Sequence, residues 1–539
     1  MTTRRFLAVA FAVFLPLTCV MTYPQVLHLS DAVHDDGDPL LNTWTLAWVA
    51  HQLPRAPARL FDANIFYPER HTLAYSETLL LPSVVAAPLR WVGVPPILVY
   101  NLVLLSGFAI SGIGVALLVR TLTARAGPAL VAGIVFAFLP YRIDHYPHLQ
   151  LQQTQCLPFA MWAFHRLVDT RRVRDGVLFG AFTAGQVLSC MYYGLLLIPY
   201  LAVVCGTLAI ANRVRVTAVV AAIALVIVAA VPVGRAYLGA RKVVGERGRD
   251  EVWQGSAAPR DYLGPPEENL VYGTALASFS RGERRLFPGF IAIALGLVGL
   301  LPGGDPAKQR AVRLAYALGL AVAFDVSLGL NGVTFRALYD YAVPFRAIRI
   351  PARGGLIVGF SLAVLAGFGA ARIRRREAIA LVAALLCVEY VSRPLPMIAI
   401  PSVLPQAYAE VLRDNDSNPT TAIFEFPVSS QDDPTYMYYS TFHWQHLVNG
   451  YSGFFPPSYI FLVNAVRNLP DDLSITAMKS HGTRYLLIHG ERLLGGRYEQ
   501  LTSELRHRPE LTFVTRSPAE REGQHGEISV FRISYAETR

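Results

Sequence analysis

Residues 6–53 read FLAVAFAVFLPLTCVMTYPQVLHLSDAVHDDGDPLLNTWTLAWVAHQL. An unbroken apolar run ends in a cluster of acids, and the acids run straight into a second, amphipathic segment. The first part is long enough to cross a bilayer, which takes about 20 residues. It follows Arg4 and Arg5 and has no small-residue cleavage pattern before about Leu27, so it reads as a retained first span with its basic end in the cytoplasm. Pro39 suits a first helical position with Asp38 as N-cap, and Asn42, Trp44, Trp48 and His51 continue a helix expected to lie in the membrane interface.

The same logic extends along the chain. The 539 residues are 53% hydrophobic and 16% charged, well under the roughly 25% charged residues of a soluble domain. Apolar stretches at 6–27, 97–119, 127–140, 151–168, 176–191, 194–211, 216–234, 287–302, 311–330, 353–371 and 378–394 predict about eleven transmembrane helices. Segment 78–93, interrupted by Pro82 and Pro88, reads as re-entrant or interfacial. The net charge of +10 comes mostly from arginines in short loops, such as Arg120, Arg125, Arg172 and Arg372, where it orients helices and does not signal nucleic-acid binding. The five cysteines lie in or beside apolar segments and form neither a disulfide framework nor a zinc spacing.

This pattern predicts a multi-pass protein of the bacterial inner membrane with a cytoplasmic N-terminus. Residues 1–398 form the bundle, with extracytoplasmic loops at 28–96, 235–286 and 331–352. Residues 399–539 form an extracytoplasmic α/β domain, since strand-like runs at 422–428, 485–489, 511–515 and 528–533 alternate with helical patterns at 407–413 and 498–506.

Polar groups gather on the predicted outer face. A general base must be a carboxylate or imidazole within reach of the hydroxyl it activates, and Asp38, with Asp36 second, has the context for one. Tyr75 and Glu77 stand at the edge of the first loop; aromatic and carboxylate neighbours suit a sugar and equally an aromatic belt. In PYRIDHYPHLQLQQ, Arg142, His145, His148 and Gln152 cluster between spans. Two histidines alone do not specify a metal site, so a divalent ion is possible but not indicated and no cofactor is assigned. Arg346, Arg349 and Arg353 flank Pro351, where guanidinium groups and the N–H groups of a starting helix suit a phosphate. Asp325, inside a predicted span, is a functional candidate by its cost alone. In the tail, TFHWQHLVNGYSGFFPPSY reads as a surface resting on the membrane, with His443, Trp444, His446 and Tyr451 shaping an acceptor side.

The order of these parts, and GDPLLNTWTLAW, LFDANIFYP, HYPHLQ and VPFRAIRIPAR in particular, resembles the GT-C superfamily of membrane glycosyltransferases, in a bacterial branch. The resemblance implies a GT-C-like α-helical bundle that moves a sugar from a polyprenyl-phosphate donor to an envelope acceptor, with an acid of the first loop as base. By position that acid is Asp38 or Asp36. The tail lacks the WWD-type motif of oligosaccharyltransferases, so transfer to asparagine is not expected. Single displacement would invert the anomeric centre. The alternative is a transporter or flippase of a lipid-linked sugar, for which internal repeats and midplane sites would be expected.

Overall fold

The computed structural model describes residues 1–539 except 213, 303–305, 415–420, 494, 522–523 and 536–539. Every predicted span falls on a helix, but not every helix is long enough to cross. Among the described residues six are long and apolar enough: Thr3–Met21, Pro96–Thr123, Ala126–Asp144, Met191–Asn212, Val216–Val244 and Pro351–Ala370. Cys156–Thr170 and Phe290–Leu300 are shorter, and Ala307–Ser327, at 21 residues, opens on charged residues. Six of the about eleven expected crossings thus meet the full length and composition of a span among the described residues. Segment 78–93 contains the helix Leu80–Trp91, whose 12 residues reach about 18 Å, too short to span.

Helix Gly355–Ala370 is apolar on all sides, and all of its residues are buried. A helix of that composition belongs in the middle of a bundle. It packs against Pro96–Thr123, Ala126–Ala137, Phe290–Leu300 and Ala307–Ser327. Small residues permit the closest of these contacts: a Cβ on Gly369 would fall 1.9 Å from the Leu295 carbonyl oxygen, and one on Gly299 would fall 2.2 Å from that of Leu365. Backbones that touch through glycine are a common device where lipid supplies no hydrophobic drive for association. At the outside of the bundle, only 17% of the Val216–Val244 window is buried, leaving Val220, Ile223, Ile227 and Val228 exposed. Lipid is the solvent that such a surface fits.

Gly369→Val should force these two helices apart and lower the unfolding temperature of the purified protein, at a cost of about 1–3 kcal/mol or more. Gly206→Ala, where an added Cβ meets nothing within 4 Å, is the control. Equal melting of both variants in the same detergent would refute the close-packing account.

The two ends of the bundle differ. At one, arginines bind backbone carbonyls between loops: Arg125 reaches Ile373 at 2.8 Å, Arg372 reaches Pro302 at 3.4 Å, and Arg120 reaches Met1. At the other lie the first loop and the tail. The tail carries a five-stranded sheet in the order His446–Leu447, Ala422–Phe426, Tyr485–His489, Gln524–Ile533, Leu511–Arg521. The first three strands are parallel; the last two form an antiparallel hairpin joined to Tyr485–His489. Helices Gln406–Asp414 and Arg497–Arg506 occur where the sequence pattern puts them.

Bundle and tail are stitched together. Ala32–Val33 of the first loop pairs with Ile398–Ala399, a strand that straddles the expected 398/399 boundary. Helix Asp38–Gln52 is buried along its length, from Pro39 to Ala50. This corrects its reading as an interfacial helix: Trp44 and Trp48 pack into one hydrophobic cluster with the tail residues Tyr436, Leu447 and Leu462 instead of meeting lipid. The tail stretch 441–459 is corrected for the same reason. His443 is buried, Trp444 stacks on His51 at 4.0 Å, and His446 stacks on Tyr67 at 4.5 Å, so this surface rests on the first loop.

Candidate active site

The position of Asp38 is set from several directions. Asn101, on a long bundle helix, donates to the carbonyls of Leu29 and Ala32 at 2.9 Å each and pins the loop. The Asp35 carboxylate then accepts from the Gly37 N–H at 2.9 Å, which shapes the turn into helix Asp38–Gln52. Gly37 is the N-cap and the helix starts at Asp38, one residue earlier than expected, so the Asp38 carboxylate does not cap it. It faces a cavity of about 730 Å³ at the tail-bearing end of the bundle.

Two groups hold that carboxylate. Tyr451 donates its hydroxyl to Asp38 Oδ1 at 3.0 Å, and His148 Nε2 lies 3.3 Å from Oδ2. Burial raises the Asp38 carboxyl above the ordinary carboxylate range, opposed by the Tyr451 hydrogen bond and by Arg353 and Arg349. Burial lowers the His148 imidazole to about 3, with Arg353 adding to the effect, so it is neutral at pH 7. Asp35 shares the wall, and burial pushes its carboxyl up to about 6.

The same cavity is lined by Arg346, Arg349 and Arg353, joined by Arg241 and Arg247. Arg353 is buried and donates to Glu283 Oε2 at 3.1 and 2.6 Å. Arg349 is more exposed and reaches Glu283 Oε1 only at 3.5 Å. Burial would raise the Glu283 carboxyl, but Arg353, His145 and His148 outweigh it and hold it at about 2. Arg346 donates to the carbonyls of Tyr339 and Asp340 at 3.2 and 3.1 Å. The N–H groups before the central helix are not free, contrary to expectation: Ile350 donates to the Tyr192 hydroxyl, Ala352 to the Gly255 carbonyl and Arg353 to that of Ile350. The chain doubles back there against the end of the short helix Arg249–Gln254 and consumes them, so anion binding falls to the side chains.

Of the residues singled out in the sequence, Asp38, Tyr75, Glu77, His148, Arg346, Arg349, Arg353 and Tyr451 line the cavity. The rest lie off its wall. Arg142 and Gln152 clasp each other inside the bundle at 3.1 Å, with Arg142 over the Phe108 ring. His145 is buried behind His148, its Nε2 3.8 Å from Glu283. Asn42 bonds Gln150 at 3.4 Å and Trp44 bonds Asn64 at 3.0 Å, both in the interior. Asp36 is not on the wall, whereas Asp35 is. Glu77 and Asp325 both cap helices: Glu77 accepts from the N–H groups of Met191 and Tyr192 at 2.8 Å, and Asp325 from those of Val333 and Thr334 at 3.0 and 2.7 Å. Among the described residues no group of three or more His, Cys, Asp and Glu side chains could hold a metal ion. The sequence reading missed Glu283 and Arg247, which sit in polar connections, and Arg241, in the last turn of helix Val216–Val244, none of them within a local motif.

A multi-helix bundle, a first loop presenting an acid, and a sheet domain seated over one end make up a fold that is found again in solved structures. The chain is that of a multi-pass membrane protein. It is similar to the arabinofuranosyltransferase AftD from Mycobacteria, with 16% identity and a TM-score of 0.66, covering 99% of this chain and 40% of that one. The chain thus spans less than half the length of that protein. Weaker likenesses are to the archaeal oligosaccharyltransferase AglB from Archaeoglobus fulgidus (11% identity, TM-score 0.48, covering 99% and 74%) and ArnT from Cupriavidus metallidurans (14%, 0.39, 98% and 97%). No protein-family model matches the chain, and no curated protein does.

Proposed function

We propose that this protein is an integral-membrane glycosyltransferase that moves a sugar from a polyprenyl-phosphate donor to an extracytoplasmic acceptor, with inversion at the anomeric carbon. One observation carries the reading: one cavity of about 730 Å³ is lined both by the raised carboxyl of Asp38 and by Arg346, Arg349 and Arg353, some 300 residues later. The carboxylate takes the acceptor hydroxyl proton as oxygen attacks the anomeric carbon. The lipid phosphate leaves as an anion, and guanidinium groups suit it because it needs charge neutralisation more than a proton. Arg349, loosely paired and exposed, is the first contact for that phosphate; Arg353 lies deeper, neutralised by Glu283. The polar groups sit at one end of the bundle and not at its midplane, which favours an enzyme over a transporter of lipid-linked sugar. Radiolabelled polyprenyl-phosphate sugars, supplied one at a time to purified protein with envelope extract as acceptor, test the reading. Label transferred by the wild type and not by Asp38→Asn supports it.

The sidedness can be tested independently. The loops at 120–127, 169–175 and 372–377 are expected in the cytoplasm and the tail outside, because basic residues concentrate in those loops. A cysteine at Ser503 should react with an impermeant maleimide in intact cells, and one at Arg374 only after permeabilisation. The reverse pattern would put the cavity on the cytoplasmic face and remove the proposal.

A further inference from the structure

We propose that Tyr451, carried by the tail domain, is a positioning residue for Asp38, so that the reactive carboxylate is assembled from both domains. This rests on the reading of Asp38 as the base.

The tail segment that bears Tyr451 is fastened to the first loop along its length. Leu447 N–H donates to the Asn64 carbonyl at 2.7 Å, Phe66 N–H to that of Asn449 at 3.0 Å, and Tyr67 N–H to that of Leu447 at 3.0 Å. Farther on, Phe454 N–H donates to the Tyr75 carbonyl at 3.0 Å, and the Arg247 guanidinium lies 3.6 Å from the centroid of the Phe454 ring. A Cβ on Gly450 would stand 2.6 Å from the Phe66 ring, so the segment sits flush just before Tyr451. The phenol is thereby delivered to Asp38 by a backbone anchored on both sides. A long side chain so held loses little further freedom when it makes its hydrogen bond, and the bond fixes Oδ1 while His148 faces Oδ2. Asp35, Glu283, Arg349 and Arg353 also act on this carboxylate electrostatically, and none of them belongs to the tail. Tyr451 is the tail's handle on it.

A hydroxyl that donates to a carboxylate stabilises the charged form. Removing that hydroxyl must therefore make Asp38 easier to protonate. The experiment is an infrared pH titration of the full-length protein in lipid nanodiscs, with the Asp38 carboxyl band identified by its loss in Asp38→Asn. Tyr451→Phe is expected to move the midpoint up by about one pH unit. Fluorotyrosine at position 451, a stronger donor in the same shape, should move it down and covers the case in which the phenylalanine variant does not fold. Ser458→Ala removes a tail-to-loop hydrogen bond, 2.6 Å to Glu69, away from Asp38 and should leave the midpoint unchanged. In turnover of the radiolabelled donor, the acid limb of the kcat profile should move with the infrared midpoint while KM stays constant. An unmoved midpoint in both Tyr451 variants, or an equal shift in Ser458→Ala, overturns the proposal. If the midpoint shifts but Asp38→Asn turns over at the wild-type rate, the phenol positions Asp38 as proposed and the base assignment is what fails.

Discussion

Asp38→Asn lowers turnover by about 10² to 10⁴ and leaves the protein folded; that is the expected result if Asp38 is the general base. The variant separates chemistry from structure because this carboxylate is not a helix cap. Gly37 takes that position, and the Asn side chain can still accept from Tyr451. Losing a negative charge from the first turn costs about 0.3–1 kcal/mol through the helix dipole. The opposing effect comes from burial. Because the folded-state pKa of Asp38 lies above its unfolded value, the native state holds more protons between the two, and stability falls as pH rises through that window. Asparagine has no such penalty, so at neutral pH the variant should melt at or near the wild-type temperature while its turnover collapses. In the wild type the rate should fall as pH drops through the raised Asp38 value, above the usual carboxylate range. A thermally intact Asp38→Asn protein with undiminished turnover would reassign the mechanism.

The bundle was legible in the sequence because apolar length and basic-loop placement are local signals, and the helices fall where the runs are. What was not legible was how acids are used once the chain closes. Glu77 looked like a sugar contact and Asp325 like a candidate for chemistry, since a carboxylate near lipid is costly, and Glu389, inside the stretch 378–394, carries the same cost. Each instead accepts from the N–H groups at the start of another helix or segment: Met191 and Tyr192, Val333 and Thr334, Phe290 and Ile291. Helix starts leave unsatisfied donors and a positive dipole end, which stabilises an acid there. For Glu77 and Glu389 the helix served lies about a hundred residues away in sequence, beyond any motif. Glu283 is the converse case. In RGERR it reads as part of a solvated loop, and only tertiary closure puts it against Arg353. The tail's docking surface was misread as membrane-facing because aromatic and histidine side chains suit a lipid interface and a protein interface alike.

That Arg353–Glu283 pair makes Arg353→Ala the second large effect, and it carries two losses that must be told apart. With Arg353 gone, Glu283 stays near His145 and keeps only the loose contact to Arg349. Breaking a buried pair from one side costs about 3–5 kcal/mol, and the 35% exposure of the Glu283 side chain puts this case at or below the lower end. The single variant should therefore melt lower and bind donor poorly. Arg353→Ala with Glu283→Ala removes both charges, so much of the lost stability should return. Donor affinity should not return, because the guanidinium that meets the phosphate is still missing. Arg349→Ala isolates the second loss: its side chain is 43% exposed, so stability should hold while donor affinity falls about tenfold or more, as for a charge-assisted hydrogen bond. Arg349→Lys keeps the charge but not the fork and should recover only part of it. Binding of a radiolabelled polyprenyl phosphate, measured beside thermal unfolding for all four proteins, decides the matter. If the double variant regains affinity along with stability, Arg353 serves only to neutralise Glu283, and the phosphate site rests on Arg349 and Arg346.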